Sequence, residues 1–153
     1  MNEPVLTVRK NDKNYFAFRL FEITAWGAQP TAIRIEKKDG KIICRAVMLS
    51  GDAGYGYSNV KLQKQRELTA EDFDAFMAKL KKSGFWSLPL KDDFGGADGS
   101  ELIIETIKDG KHSVFYRWTP SWDAKERKLS GVVDFQTQLL KENLPQFFEK
   151  GRR

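Results

Sequence analysis

The sequence contains one cysteine and one histidine, and this scarcity excludes several kinds of site. A single cysteine, Cys44, cannot form a disulfide within the chain or a cysteine-based zinc site. A single histidine, His112, excludes any mechanism that needs two imidazoles. No apolar run approaches the ~18 residues of a membrane-spanning helix, and the first four residues lack the basic and apolar parts of a secretion signal. We therefore expect no membrane partner and a cytoplasmic location, with the periplasm as the alternative if an export signal has been removed.

The chain also lacks a strong charge of either sign. It carries 26 Lys and Arg against 21 Asp and Glu, a net charge of +5, and the basic residues are scattered along the sequence. Nucleic-acid-binding proteins are usually more basic, with the charge on one face, so we expect no nucleic-acid partner. A hydrophobic fraction of 41% and an aromatic fraction of 12% in 153 residues predict a single folded domain. Within it, residues 1–13 are expected to be a loose lead-in and residues 151–153 a tail.

Two Asp-Gly pairs, each between two β-prone runs, are the clearest local signal. This dipeptide favours the two-residue type I′ turn of a β-hairpin. The four runs are residues 31–38, 41–49, 101–108 and 111–118. A two-residue turn also fixes the register of the paired strands. In the first hairpin, Ile35 is then predicted to face Cys44 on an apolar side, and Arg34 to face Arg45 on a wetter side.

Two further strands and two helices complete the predicted fold. The strands are expected at residues 15–24 and 60–68, and the first helix begins after Thr69, a favourable N-cap residue, and ends at Gly84. The last helix is predicted over residues 123–142, with Ser130 as an alternative start because Gly131 weakens a continuous helix. These elements predict an α+β fold with a mostly antiparallel sheet of about five or six strands, packed by two helices.

The motifs of common catalytic and ligand sites are missing from the sequence. There is no Gly-x-Ser-x-Gly nucleophile elbow and no phosphate-binding loop. Asp92, Asp93 and Asp98 lie in a glycine-bearing loop but lack the spacing of a calcium-binding loop, so we interpret them as an acidic loop. We therefore expect no catalytic residue, no metal and no cofactor.

The second half of the chain carries a series of short motifs. They are Phe85-Trp86-Ser87-Leu88-Pro89, then Gly96-Ala97-Asp98-Gly99, then Glu105, then Arg117-Trp118-Thr119-Pro120. This series resembles that of an uncharacterised family of small bacterial proteins. The resemblance covers roughly residues 32–140 and departs from the family pattern at Ala97 and Leu102. It implies a shared structural cluster and no particular activity.

Four residues of this series are the candidate site of the second half: Asp98, Glu105, Arg117 and Trp118. In the favoured interpretation they form a structural clasp, in which Arg117 bonds to Asp98 or to nearby carbonyl groups and holds the long loop against the last hairpin. In the alternative, they line a pocket between the 91–100 loop and the 101–118 hairpin. That pocket would belong to an enzyme or to a protein that binds a small ligand.

The function that these observations favour is non-enzymatic binding to a protein partner. The most concrete form is an immunity protein or inhibitor that docks on a bacterial toxin or enzyme, and the positive net charge favours an acidic partner surface. Candidate partner-binding residues are Arg34 and Arg45 of the first hairpin and Tyr55 and Tyr57 of a glycine-rich loop. The two tyrosines could equally fold back onto the sheet. The oligomeric state stays open.

Overall fold

The computed structural model describes residues 5–6, 12–24, 29–50 and 59–145, and all structural statements below refer to these residues. Tyr55 and Tyr57, two of the predicted partner-binding residues, lie outside the described residues. So do the tail 151–153 and most of the predicted lead-in.

Six antiparallel strands form one open sheet, in the spatial order β4-β3-β2-β1-β5-β6. Their bounds are β1 Phe16–Thr24, β2 Thr31–Lys38, β3 Lys41–Leu49, β4 Val60–Glu67, β5 Ser100–Lys108 and β6 Lys111–Trp118. Two helices, α1 Ala70–Lys82 and α2 Ser130–Asn143, accompany the sheet. The predicted α+β class, with a mostly antiparallel sheet of about five or six strands packed by two helices, is therefore confirmed.

Both Asp-Gly turns have the predicted hairpin geometry. Asp39 and Gly40 have φ values of 50° and 77°, and Asp109 and Gly110 have φ values of 52° and 74°. Positive φ at both central residues is the signature of a type I′ turn. The predicted registers of both hairpins are confirmed, including the pairing of Arg34 with Arg45.

Helix α1 begins and ends where the sequence predicts. The Thr69 side chain accepts a hydrogen bond from the Asp72 backbone, and the Asp72 carboxylate accepts one from the Thr69 backbone, which forms a capping box. Gly84, with φ of 76°, terminates the helix in the left-handed conformation that glycine adopts at low cost.

Helix α2 begins at Ser130, so the longer helix predicted from Asp123 is wrong and the shorter alternative is right. Asp123 and Lys128 have φ values of 50° and 58°, which a continuous right-handed helix cannot contain. The side chain of Arg127 donates hydrogen bonds to the carbonyl oxygens of Trp118, Thr119 and Trp122. These bonds hold the segment before α2 in tight turns against the end of β6.

The two faces of the sheet have different coverings. On one face, which we call the helix face, Phe18 of β1 packs its ring against Phe76 of α1 and Phe135 of α2. The main hydrophobic core lies between this face and the helices. The opposite face, which we call the arginine face, is covered by neither α1 nor α2. At one end of it Leu6 and Tyr15 pack with sheet residues in a small second cluster.

Candidate functional site

Three arginines stand side by side across the middle of the arginine face. Arg19 of β1 is the direct cross-strand partner of Arg34 of β2, which is the direct partner of Arg45 of β3. Like charges directly opposite one another destabilise a sheet unless anions or polar groups compensate them. The two predicted partner-binding arginines, Arg34 and Arg45, are therefore adjacent. Sequence analysis missed Arg19 as the third member because no two-residue turn joins β1 to β2 and fixes the register of that pair.

Arg19 and Arg34, which we call the inner arginines because Arg45 lies nearest the β4 edge of the sheet, each have a carboxylate nearby. Arg19 Nε donates to Glu105 Oε2 at 3.1 Å, and its Nη2 forms a second, shorter contact with the same oxygen. The other carboxylate oxygen of Glu105 lies 2.7 Å from His112 Nε2. Arg34 Nε lies 3.7 Å from the Glu36 carboxylate. Glu105, one of the predicted clasp or pocket residues, thus belongs to this row.

The outer arginine, Arg45, has a neutral partner. Its Nε and Nη2 donate to the side-chain oxygen of Gln65 on β4 at 3.2 and 2.8 Å. No carboxylate of the described residues forms an ion pair with it, and Glu67, further along β4, is exposed. The row of three arginines thus ends in a half-buried guanidinium that forms no ion pair within the part of the chain that is described.

Cys44 lies on the opposite, helix face, where the predicted register places it. Its thiol is buried and lies 3.3 Å from Asn143 Oδ1 of α2. Burial raises the pKa of the Cys44 thiol, and the positive charge of Arg66 opposes this only in part. A buried thiol with a raised pKa is a poor nucleophile at neutral pH, so its environment is that of a core residue.

Arg117 holds the loop after α1 against the last strand, on the helix face. Its side chain is 1% exposed, and its two Nη groups donate to the carbonyl oxygens of Leu90 and Pro89. Its Nε lies 3.3 Å from Asp92 Oδ2. Burial lowers the pKa of the Arg117 guanidinium, and the charge of Asp92 opposes that shift. The carboxylate beside Arg117 is Asp92, whereas Asp98 is exposed further along the loop.

A second arginine, which sequence analysis missed, completes this attachment. Arg127 Nε and Nη2 donate to Asp92 Oδ2 at 3.1 and 2.9 Å. The Arg127 guanidinium also stacks 4.1 Å from the centre of the Phe94 ring. Asp92 therefore bridges two arginines that come from separate parts of the chain. No local sequence signal could have identified Arg127, because its partners are carbonyl oxygens and a distant loop.

Trp118 lies on the arginine face, opposite to its chain neighbour Arg117. Its ring packs against Phe94 and Trp122 and against two glycines of the loop. A Cβ added to Gly96 would lie 2.5 Å from the Trp118 ring, and one added to Gly99 would also clash with that ring. The glycines of this loop are thus explained by the close approach of its backbone to Trp118.

A cavity of about 540 Å³ opens on the arginine face beside Trp118. Its floor consists of sheet side chains and its wall of the loop before β5. The lining residues are Ile23, Glu101, Tyr116 and Trp118 from the sheet and residues 91–97 and 99 from the loop. The Tyr116 hydroxyl donates to Glu101 Oε1 at 3.0 Å. Burial, followed by this contact with Glu101, raises the pKa of the Tyr116 phenol.

The four residues of the predicted clasp or pocket do not form one site. Trp118 alone lines the cavity, while Arg117 points to the helix face and Glu105 pairs with Arg19 in the arginine row. Asp98 is exposed and lies outside the cavity lining. Arg117 thus attaches the loop from the helix face, the cavity lies on the other face, and Asp92 belongs to both because Arg117 binds it and it lines the cavity.

The described residues were also searched for membrane-spanning helices and for metal sites. No helix within them is both long and apolar enough to span a bilayer. No group of three or more His, Cys, Asp or Glu within them has the geometry of a metal site.

Comparison of the chain with models of protein families and with curated protein sequences gives no match to either. The resemblance to a family of small bacterial proteins stays a prediction.

Proposed function

We propose that this chain is a non-enzymatic binding protein that docks a protein partner on its arginine face. The partner segment presents carboxylates to Arg34 and Arg45. The biological setting that suits a small domain of this kind is that of an immunity protein or inhibitor directed at a bacterial toxin or enzyme. The proposed location is the cytoplasm, where a reducing environment keeps an unpaired thiol such as Cys44 reduced.

The observation that carries the proposal is the uncompensated guanidinium of Arg45 at the end of the row. Its neighbours Arg19 and Arg34 each have a carboxylate, but Arg45 is bonded to the neutral amide of Gln65. A guanidinium matches the geometry of a carboxylate and can bind it through two parallel hydrogen bonds. An acidic partner would add the missing negative charge, so the sheet favours it over a basic one.

The inner members of the row would keep this surface in one arrangement. Glu105 is bound by Arg19 on one side and by His112 on the other. The side chains of Arg19 and Glu105 are 8% and 14% exposed, so both are held within the sheet surface. A recognition group supported by fixed neighbours loses less conformational entropy on binding.

The experiment is affinity capture from an extract of the native host, followed by binding measurements with the isolated partner. Arg45→Glu is expected to weaken binding by at least about tenfold, which corresponds to ~1.4 kcal/mol. The matched control is Lys64→Glu, a charge reversal on the neighbouring strand. Lys64 pairs with Ala46 and therefore points to the helix face, so this change is expected to leave binding unaltered.

Salt provides a second measurement of the same interaction. Binding through Arg45 should weaken as the ionic strength rises, mainly through a lower association rate. The proposal fails if no stoichiometric partner is recovered under several growth conditions. It also fails if Arg45→Glu and Lys64→Glu affect the isolated partner equally.

A second candidate function is the binding of a small ligand in the cavity beside Trp118. The specific observation in its favour is the size of the cavity, about 540 Å³, which is within the ~300–1,000 Å³ of small-molecule sites. Its position between the 91–100 loop and the last hairpin is that of the pocket predicted from the sequence. The residues that line it are largely different from the predicted ones.

A further inference from the structure

The cavity on the arginine face has a wall that is fixed to the body of the protein. The backbone N–H of Tyr116 donates to the carbonyl of Leu90 at 2.8 Å, which attaches the start of the loop to the edge of β6. Asp92 is held by Arg117 and Arg127. Further along, Gly96 lies against the Trp118 ring. Because the loop is held at each of these points, the cavity is a preformed feature of the fold.

The charged side chains that line the cavity favour a cation over an anion. They are Lys91, Asp92, Asp93 and Glu101. Asp92 is bound by two arginines that lie outside the lining, and the other three lining groups are two carboxylates and one ammonium group. The hydrogen-bond partner of Glu101 among the described residues is the neutral hydroxyl of Tyr116. An anionic ligand would therefore enter beside two carboxylates with one lysine in its favour.

The aromatic side chains of the cavity strengthen this preference. Phe94, Tyr116 and Trp118 all contribute to its lining. Aromatic rings attract cations through the negative charge of their faces and also bind apolar groups. Beside these rings, Glu101 supplies a carboxylate and Tyr116 supplies a hydroxyl oxygen at the floor of the cavity. An organic cation with an apolar body satisfies both kinds of lining.

We propose that this cavity binds a small organic amine or guanidine, with its positive group at Glu101 and its apolar part against Tyr116 and Trp118. This inference rests on the second candidate function, small-ligand binding, and names the ligand class. Asp93, exposed at the rim, assists by its charge. The arginine row is not required for this binding, since its members do not line the cavity.

Three probes of nearly equal size and different charge test the inference: benzylamine, benzyl alcohol and benzoate. They are titrated into the full chain while backbone amide chemical shifts are followed by NMR. We expect benzylamine to bind with a Kd of about 1 mM, typical for a fragment of this size. The shifts should be confined to residues 91–101 and 116–118. Benzyl alcohol should bind at least about fivefold more weakly and benzoate more weakly still, since the cavity offers an excess of carboxylate charge.

Variants identify the groups responsible. Glu101→Gln keeps the acceptor for the Tyr116 hydroxyl and removes the charge, so it should weaken benzylamine binding about tenfold and reduce the preference over benzyl alcohol. Asp93→Asn, at an exposed position where folding is not at risk, should weaken binding about two- to threefold. The matched control is Asp98→Asn, an exposed carboxylate of the same loop that lies outside the cavity and should have no effect.

The outcomes distinguish the ligand class from the candidate function. If benzoate binds as tightly as benzylamine, the cavity is a ligand site but the proposed class is wrong. If none of the three probes shifts residues 91–101, both the class and the candidate function are wrong. If Asp98→Asn weakens binding as much as Asp93→Asn does, the effect is one of general charge and the inference is overturned.

Discussion

Gly131 of α2 lies directly against the backbone carbonyl of Ser83, the residue that caps α1. A Cβ at position 131 would lie 2.5 Å from the Ser83 oxygen and 3.0 Å from its carbonyl carbon. The obstacle is backbone, which cannot rotate away as a side chain would. The glycine that weakens the helix pattern in the sequence is therefore a point of close contact between α2 and the end of α1.

Gly131→Ala is expected to destabilise the protein, although alanine is the better helix former by ~1 kcal/mol. Separating α1 from α2 to admit the methyl group should cost more than this gain, because overpacking typically costs ~1–3 kcal/mol. Chemical denaturation measures the free energy of unfolding. The control is Ser130→Ala at an exposed position of the same helix, where little change is expected. A Gly131→Ala variant that is more stable than the wild type would contradict the close approach.

The carboxyl group of Glu22 makes stability depend on pH. Glu22 is the cross-strand partner of Thr31 on the helix face, and Glu22 Oε2 and Thr31 Oγ1 are both buried without a hydrogen-bond partner among the described residues. Burial raises the pKa of Glu22 above its ordinary value of 4.5, and a hydrogen bond with Gln136 opposes this shift. The folded protein therefore binds this proton more tightly than the unfolded chain does.

The sign of the pH effect follows from that difference. Below pH 4.5 Glu22 is protonated in both the folded and the unfolded protein, so it does not lower the free energy of unfolding. As the pH rises from there through the raised pKa of the folded state, the free energy of unfolding falls. Glu22→Gln removes this loss. Its advantage over the wild type in the free energy of unfolding should grow from pH 4.5 upward and reach ~1 kcal/mol or more at neutral pH.

Denaturation curves for both proteins between acid and neutral pH measure this advantage. Glu126→Gln, at an exposed position before α2, is the control and should change stability little. An advantage of Glu22→Gln that shrinks as the pH rises would show that the carboxylate is stabilised in the folded protein, contrary to the prediction.

Arg117 should be among the most sensitive positions of the chain. Arg117→Met removes the donors for the Pro89 and Leu90 carbonyls and one of the two cations at Asp92. Hydrogen bonds from a charged group typically contribute ~1.5–3 kcal/mol each, and Asp92 keeps its pair with Arg127, so we expect a loss of ~3 kcal/mol. Chemical denaturation gives the loss, and amide hydrogen exchange should show it first at residues 90–92 and at Tyr116, whose N–H donates to the Leu90 carbonyl.

The matched comparison for Arg117→Met is Arg45→Gln, which changes a half-buried arginine with a neutral partner and should cost less than ~1 kcal/mol. Equal losses for the two variants would mean that Arg117 is not the attachment of the loop.

Local patterns predicted much of this fold because the forces that fix those elements act between residues close in sequence. The Asp-Gly turns require positive φ at two adjacent positions and thereby determine the registers of both hairpins. The Thr69 capping box likewise involves residues within one helical turn. In each case sequence spacing and spatial contact coincide.

The candidate site was predictable only in part, because its contacts join distant segments. The side-by-side placement of Arg34 and Arg45 follows from one hairpin, but Arg19 joins them through the pairing of β1 with β2. The carboxylate at Arg117 is Asp92 and not the predicted Asp98, and identifying it required the path of the loop along β6. Arg127 bonds mainly to backbone oxygens, which every residue carries.

The two-residue turn at Asp39 and Gly40 controls the chemistry of both faces of the sheet. Side chains alternate along a strand, so a shift of one position in the hairpin exchanges inside and outside. One inserted residue at the turn would bring Arg45 beneath the helices and Cys44 to the surface if the pairing moved with it. A tight loop far from the cavity thus decides whether the domain presents a guanidinium or a thiol to its surroundings.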